Sequence, residues 1–305
     1  MRIKTTVTET PAFSDVAMEF INFKAAEQVA PRTLNDYMKT FKKFSDFGCN
    51  TMELEILNND LVEFFKSIPD TSPAVYNRPF SNLSSFFNWC VKQDIIAANP
   101  LSKLGLHKKR DDGNIHAASI DDIKALLDTC DRKTFTGLRN YTMILLMLDT
   151  GIRTSEITRL VNSDYDAAAR TIIVTKDKAK TRRERICYLS DNVISALNKY
   201  LRIKPAEIEF IFPSRDANQL STNELAREFR KLSDKAEVKV TPYQLRHSFA
   251  TYFIENGGNV FVLQNLMGHS EIRMTLRYTD ISENQKKTAH ARNTPTNLLL
   301  AHKRL

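Results

Sequence analysis

Little in this sequence invites a disulfide, a metal ion or a membrane. Its four cysteines, Cys49, Cys90, Cys130 and Cys187, are widely separated, with no Cys-x-x-Cys and no paired histidines at metal-ligand spacing. That pattern speaks against a zinc site and a disulfide framework and fits a reducing, cytoplasmic setting. No apolar signal core follows Met1, and the longest apolar stretch, around Met143–Leu148, is far short of the about 20 residues a membrane span needs. Glycine and proline are scarce, with 8 and 10 in 305 residues, which favours ordered globular structure over disorder. A Gly-x-x-x-x-Gly-Lys loop and an acidic metal cluster are both missing, so neither a nucleotide cofactor nor a metal is expected. Residues 285–305 carry no acidic side chain at all.

What is present is a chain long enough for two compact cores, 42% hydrophobic, with a formal charge of +8. A basic balance favours a polyanionic partner, and here the charge is focused. Lys176, Lys178, Lys180, Arg182, Arg183 and Arg185 stand against only Asp177 and Glu184 in that run. The same run also reads as a solvated turn.

The polar stretch from His107 to Ser119 follows an Asn-Pro pair at 99–100 and precedes a capping-box pattern beginning at Ser119, which marks a domain boundary. We expect a first domain over residues 1–108, a linker over 109–118 and a second domain over 119–305, with a tail from about residue 282. The first domain reads as a small helical bundle. Its segments run from Ser14 to Val29, from Pro31 to Gly48 with Leu34, Tyr37, Met38, Phe41, Phe44 and Phe47 as a buried stripe, from Asn58 to Ile68, and from Ser72 to Asp94. Pro79 either kinks that last helix or marks its start. The second domain mixes types. Helices at Ile120–Thr129, Leu138–Thr150 and Glu156–Val161 precede two β-branched segments, Arg170–Lys176 and Arg183–Leu189, that read as a hairpin. Helices follow at Asn192–Leu201, Thr222–Ala236, Pro242–Asn256, Val260–Met267 and Glu271–Thr279. The expected class is mainly α with a small β-hairpin, a helical bundle followed by an α+β domain.

Four separated motifs in the second domain hold one set of chemical tools. They are Thr150-Gly-Ile-Arg-Thr-Ser-Glu-Ile157, the hairpin run around Lys180, Tyr243-Gln-Leu-Arg-His-Ser-Phe-Ala-Thr251, and Gly268-His-Ser-Glu-Ile-Arg-Met-Thr-Leu-Arg-Tyr278. A guanidinium donates two hydrogen bonds to nonbridging phosphate oxygens and keeps its proton, which suits Arg153 and Arg246 to a phosphorus centre gaining charge. Lys176, Lys178 and Lys180 share one basic turn, where a cationic side chain can donate to a phosphate. Tyr243 and Arg246, three apart on a helix, reach the same face. Tyr278 lies nine positions after His269, a spacing that suits an active site. His247 reads as a core histidine. Each residue alone has a plainer reading, such as a surface arginine beside a helix-start glutamate for Arg153 or a packed aromatic for Tyr278. Their order and separations together point to a phosphodiester.

Those motifs resemble the catalytic domain of the tyrosine recombinases, the phage integrase family that includes Xer, Cre and lambda-type integrases. The likeness extends into the first domain, where Asn77-Arg-Pro-Phe-Ser-Asn-Leu-Ser-Ser-Phe-Phe-Asn-Trp and Asn99-Pro100 are similar to the end of the family's SAM-like core-DNA-binding domain. The resemblance implies Arg153 and Arg246 as the catalytic arginines, Glu156 as a supporting carboxylate, Lys180 as the general acid, His269 as a phosphate-contacting imidazole and Tyr278 as the nucleophile. Tyr243 stands where the family usually has histidine, a departure that leaves a hydrogen-bond donor but no imidazolium charge. Asn77, Arg78, Lys176, Lys178, Arg182 and Arg183 are the expected DNA contacts.

The implied activity is site-specific recombination by transesterification through a 3′-phosphotyrosyl link and a Holliday junction. The implied partners are double-stranded DNA core sites clamped by two domains and a homotetramer in the synapse, with residues 282–305 docking on a neighbouring protomer. A bundle opening near residue 12 leads us to expect no arm-binding domain, and hence short core sites. Two other readings are a type IB topoisomerase-like nicking-closing enzyme and a non-catalytic DNA-binding accessory protein. The second predicts a missing nucleophile or arginine, and neither is missing.

Overall fold

The computed structural model describes residues 10–110, 116–179 and 183–279, with 287–288, 290–291 and 294–296 beyond them. The chain divides into two compact units, Met1–Gly113 and Asn114–Leu305.

The first unit comprises α1 (Phe13–Ala26), α2 (Pro31–Asp46), α3 (Leu54–Ser67), α4 (Pro73–Lys92) and the single turn α5 (Pro100–Lys103). Proline opens α2, α4 and α5, where its fixed φ suits the first helical position and its missing N–H has no partner to lose. Helix α4 runs through Pro79, so that proline does not mark the helix start. The interior is aromatic: Phe13, Phe20, Phe44, Phe64, Phe86 and Phe87 are wholly buried. Phe13 meets Phe41, Phe44 and Phe86 edge-on, with ring centroids 5.9, 5.0 and 5.3 Å apart, as ring quadrupoles favour. Burial of each such side chain contributes about 1.5–3 kcal/mol. Both heteroatoms of the Asn77 amide bind the main chain. Its Nδ2 donates to Lys109 O at 2.9 Å and its Oδ1 accepts from Lys109 N at 2.8 Å, which fastens the end of the unit. Its neighbour Arg78 is exposed.

The second unit contains α6 (Ile120–Asp128), α7 (Phe135–Thr150), α8 (Thr154–Ile157), a 3-10 turn (Asn162–Asp164), β1 (Tyr165–Asp166), β2 (Thr171–Val174), β3 (Arg185–Tyr188), α9 (Asp191–Ile203), α10 (Thr222–Lys235), α11 (Pro242–Glu255), α12 (Val260–Met267) and α13 (Arg273–Leu276). Helix α7 is its axis and buries Leu138, Met143, Ile144, Leu146 and Met147. The strands form an antiparallel sheet in the order β1-β2-β3, with Ile172 opposite Cys187 and Val174 opposite Arg185. Two-residue β1 was not expected, since a strand that short carries no readable alternation. Helix α8 is a single turn beginning at Thr154 rather than a longer helix from Glu156 to Val161, and the expected helix over 271–279 contracts to the one turn of α13.

Strand β3 turns the hydrophobic alternation inside out. Arg185 and Cys187 face inward at 8% and 3% exposure, whereas Ile186 and Tyr188 face out at 44% and 64%. An arginine aimed into a core is stable only if its charge is met there.

Candidate active site

Helix α12 ends at Met267, and Gly268 follows in the left-handed conformation, φ +61°. A helix end leaves its last carbonyls without intrahelical partners and carries the negative end of the helix dipole. Here three successive carbonyls each receive a guanidinium from a different element. Arg185 Nε donates to Leu266 O at 3.2 Å, an Arg246 terminal nitrogen to Met267 O at 3.0 Å, and an Arg153 terminal nitrogen to Gly268 O at 3.1 Å. Arg153 comes from the start of α8, Arg185 from β3 and Arg246 from the middle of α11.

A second helix end contributes as well. Helix α7 stops at Gly151, φ +60°, whose carbonyl accepts another bond from Arg246. A Cβ at that position would lie 2.4 Å from Phe249 Cδ1, so both the conformation and the space call for glycine.

Glu156 binds two of the arginines together. Its carboxylate accepts from Arg153 N at 3.0 Å and from an Arg153 terminal nitrogen at 3.2 Å, and takes both Arg185 terminal nitrogens at 3.0 and 2.5 Å. Burial raises its pKa, but the Arg185 hydrogen bonds and charge, with help from Arg153, outweigh burial and hold it below the usual carboxylate value. Among the described residues Glu156 is the one carboxylate hydrogen-bonded to this group, so Arg153, Arg185 and Arg246 leave a surplus of two positive charges. Burial, then the charge of Arg153, pushes the Arg246 guanidinium down to about 9, which still leaves it charged at neutral pH.

His269 follows Gly268 directly, with Nε2 3.0 Å from an Arg246 terminal nitrogen and Nδ1 2.8 Å from Thr275 Oγ1. Tyr278 closes the site and is partly buried beside Ala250, Leu263 and Met267. Burial pushes its phenol pKa up, against the pull of Arg246, so the hydroxyl is protonated at neutral pH. Its ring leans on His247 with centroids 5.2 Å apart, and His247 in turn meets the edge of Tyr243 at 4.3 Å. His247 is 2% exposed, whereas Tyr243 is 50% exposed. A buried surplus of positive charge beside a phenol and an imidazole is a receptor for an anion about to gain further charge, as a phosphodiester does under nucleophilic attack.

The profile of the phage integrase family matches residues 119–285, more than half of the chain. The chain belongs to the phage integrase family. It is a tyrosine-type site-specific recombinase. Over 281 residues it is 28% identical to tyrosine recombinase XerD of Staphylococcus aureus, covering 88% of this chain and 94% of that protein. Over 298 residues it is 24% identical to tyrosine recombinase XerC of Leptospira interrogans, covering 93% and 94%. Among solved structures, the Tn1549 transposon integrase in complex with a circular intermediate DNA superposes with a TM-score of 0.77 at 19% identity, covering 93% of this chain and 99% of that one. A lambda integrase tetramer bound to a Holliday junction gives 0.74 at 16% identity, covering 92% and 82%. These two likenesses concern the fold.

Within this recombinase the structure brings Arg153, Glu156, Arg246 and His269 into one hydrogen-bonded group, and Tyr278 and Tyr243 both rest their rings on His247, the residue after Arg246. Lys180 and Arg182 lie outside the described residues. Lys176 and Arg183 are exposed. The Lys178 Nζ lies 2.7 and 2.6 Å from the two carboxylate oxygens of Asp164, and its side chain is 14% exposed. Sequence reasoning missed two residues, Arg185 and Thr275. Arg185 lies in phase with Cys187 and Leu189, the signal that could have placed it inside.

Proposed function

We propose that the chain cleaves and rejoins double-stranded DNA at short core sites, with Tyr278 as nucleophile. The Tyr278 hydroxyl gives up its proton to solvent as its oxygen attacks the scissile phosphorus, a 3′-phosphotyrosyl bond forms, and the bond to the 5′-oxygen breaks. Lys180 delivers the proton to that leaving oxygen, and Arg153, Arg246 and His269 hold the nonbridging oxygens. Attack by the 5′-hydroxyl of the partner strand reverses the step and releases the tyrosine. The phosphotyrosyl bond conserves the ester energy, so no nucleotide or metal takes part.

The observation that carries this reading is the surplus of two guanidinium charges at the end of α12, next to a protonated phenol. Four protomers in a synapse, strand exchange through a Holliday junction and a tail over residues 282–305 that docks on a neighbour complete the proposal, with the protein acting in the cytoplasm on a mobile element or chromosome. Arg78, Lys176, Arg182 and Arg183 supply backbone contacts. A nicking-closing topoisomerase and a non-catalytic accessory protein are not favoured: the relatives that span nearly the whole chain are recombinases, and both arginines, His269 and Tyr278 are present.

A plasmid carrying two copies of the core site recovered from a random duplex library tests the proposal. Recombination yields two circles or an inverted segment. Relaxation of supercoils without any exchange would make the enzyme a topoisomerase instead.

A further inference from the structure

His269 has two ring nitrogens, and both are engaged. Nε2 faces an Arg246 terminal nitrogen at 3.0 Å, and Nδ1 faces Thr275 Oγ1 at 2.8 Å. A guanidinium has only donors, so Nε2 must be the bare, accepting nitrogen. Burial, followed by the charges of Arg246 and Arg153, pushes the imidazole down to about 4, so the ring is neutral at pH 7. Its one proton therefore sits on Nδ1 and is donated to Thr275 Oγ1.

That tautomer suits the DNA-free protein and not the reaction. The nitrogen facing the arginines has no proton to offer a phosphate oxygen. When a phosphate takes the guanidinium of Arg246, Nε2 loses its donor and must carry a proton to contribute. Nδ1 then becomes the acceptor. A hydroxyl serves both states, because it accepts from Nδ1–H and, rotated, donates to bare Nδ1.

Thr275 is built for that exchange. It is wholly buried, and among the described residues its hydroxyl bonds only to His269, although a helical threonine commonly turns back to a main-chain carbonyl. Its N–H donates to Ile272 O at 2.8 Å, and its own carbonyl accepts from Tyr278 N at 3.0 Å. The same residue thus joins the imidazole to the turn that carries the nucleophile.

We propose that Thr275 is a positioning residue that serves both His269 tautomers, accepting from Nδ1–H in the DNA-free protein, where Arg246 keeps Nε2 bare, and donating to bare Nδ1 to support Nε2–H when a phosphate is bound. One proton leaves Nδ1 for solvent and one from solvent adds to Nε2, with no change in net charge, while the threonine hydroxyl proton rotates toward Nδ1. The inference rests on the reading of His269 and Tyr278 as the reacting site, and its test separates the two.

The first measurement needs no DNA. In protein labelled with 15N-histidine, long-range nitrogen–proton correlations report the tautomer of His269. The expected result is Nδ1–H in the wild type, in Thr275→Ser and in Thr275→Val, which keeps the shape but loses the hydroxyl, because Arg246 keeps Nε2 bare in all three. The second measurement uses a nicked duplex carrying the core site selected from a random library. Thr275→Ser forms covalent adduct within about threefold of the wild-type rate, and Thr275→Val falls by about tenfold or more at unchanged duplex affinity, the scale of one lost hydrogen bond. A wild-type His269 found as Nε2–H, or a Thr275→Val protein that forms adduct at the wild-type rate, overturns the proposal. Should Thr275→Val fail to fold, the wild-type tautomer and the serine variant still decide it. Tyr278→Phe is run alongside: adduct in that variant shows that the reading of the site has failed, whereas a dead Tyr278→Phe with an unaffected Thr275→Val defeats the threonine role alone.

Discussion

Arg185 and Glu156 form a two-pronged ion pair, with nitrogen–oxygen distances of 3.0 and 2.5 Å and side chains that are 6% and 0% exposed. Such a pair is geometrically demanding, because two parallel bonds need the planar fork of arginine. Removing one partner strands the other charge in the core at a cost of about 3–5 kcal/mol. We predict that Arg185→Met and Glu156→Gln each lower unfolding stability on that scale, read from denaturant titration. Arg185→Lys should recover little, since lysine cannot span both oxygens. Full recovery by lysine would show that a point charge suffices.

The two buried histidines fix a pH dependence. Burial pushes His247 and His269 down to about 4 from the ordinary histidine value of 6.5, so between those values the unfolded chain binds more protons than the folded one. Stability therefore rises with pH across that window, is complete above about 6.5, and is lost as pH falls toward 4. Glu156 acts in the same sense lower down, because its depressed pKa lends stability above the ordinary carboxylate value that disappears on acidification. The melting temperature should fall steadily from pH 7 to pH 4.5, and His247→Gln should flatten that slope. A melting temperature that is constant across this range would contradict the assigned protonation states.

The hairpin lysines should separate by function. Lys178 is paired with Asp164, so Lys178→Met should lower stability and leave the salt dependence of DNA binding unchanged. Exposed Lys176 should behave in the opposite way, and Lys176→Ala should reduce the log–log salt slope by about 1. Lys180→Ala should lose cleavage and regain it on a bridging 5′-phosphorothiolate, whose thiolate leaves without a proton. Rescue of Lys178→Ala in place of Lys180→Ala would move the acid by two residues.

Tyr243 keeps its hydroxyl at the surface of the site, with no hydrogen-bond partner among the described residues and its ring edge on His247. Tyr243→Phe should therefore slow cleavage by about tenfold, equivalent to about 1.4 kcal/mol, with an unchanged melting temperature. Tyr243→His should remain active. A silent Tyr243→Phe would reduce the residue to a packing role against His247.

Much of the site was legible because its residues stand in short motifs with fixed separations: Gly151 to Glu156, Tyr243 to His247, Gly268 to Tyr278. Periodicity also located the long helices, and the segment expected at Val260–Met267 is α12 itself. What it could not show was where charge ends up. Arg185 and Lys178 sit in a run of basic residues, and composition gives all of them the same reading, a surface gripping DNA. Strand phase hints that Arg185 turns inward, but only tertiary packing shows Glu156 as its partner and Asp164 as that of Lys178. Asn77 is a similar case, since its partner Lys109 lies 32 residues away, beyond any local pattern. Thr275 was invisible for a different reason: its role depends on which nitrogen of His269 faces Arg246, a matter of geometry rather than spacing.

The central claim is that the Tyr278 phenol, beside the guanidiniums of Arg153 and Arg246, becomes covalently joined to DNA. The most direct test is to trap the enzyme on a nicked core-site duplex with a labelled scissile phosphate, digest it with protease and sequence the labelled peptide. The account predicts a peptide carrying phosphotyrosine at Tyr278, a 5′-hydroxyl on the released strand, and adduct formation reduced by roughly 100-fold or more in Arg246→Ala, as for a lost preorganised oxyanion contact. Label on Tyr243 or any other residue, or a wild-type rate in Arg246→Ala, would contradict it.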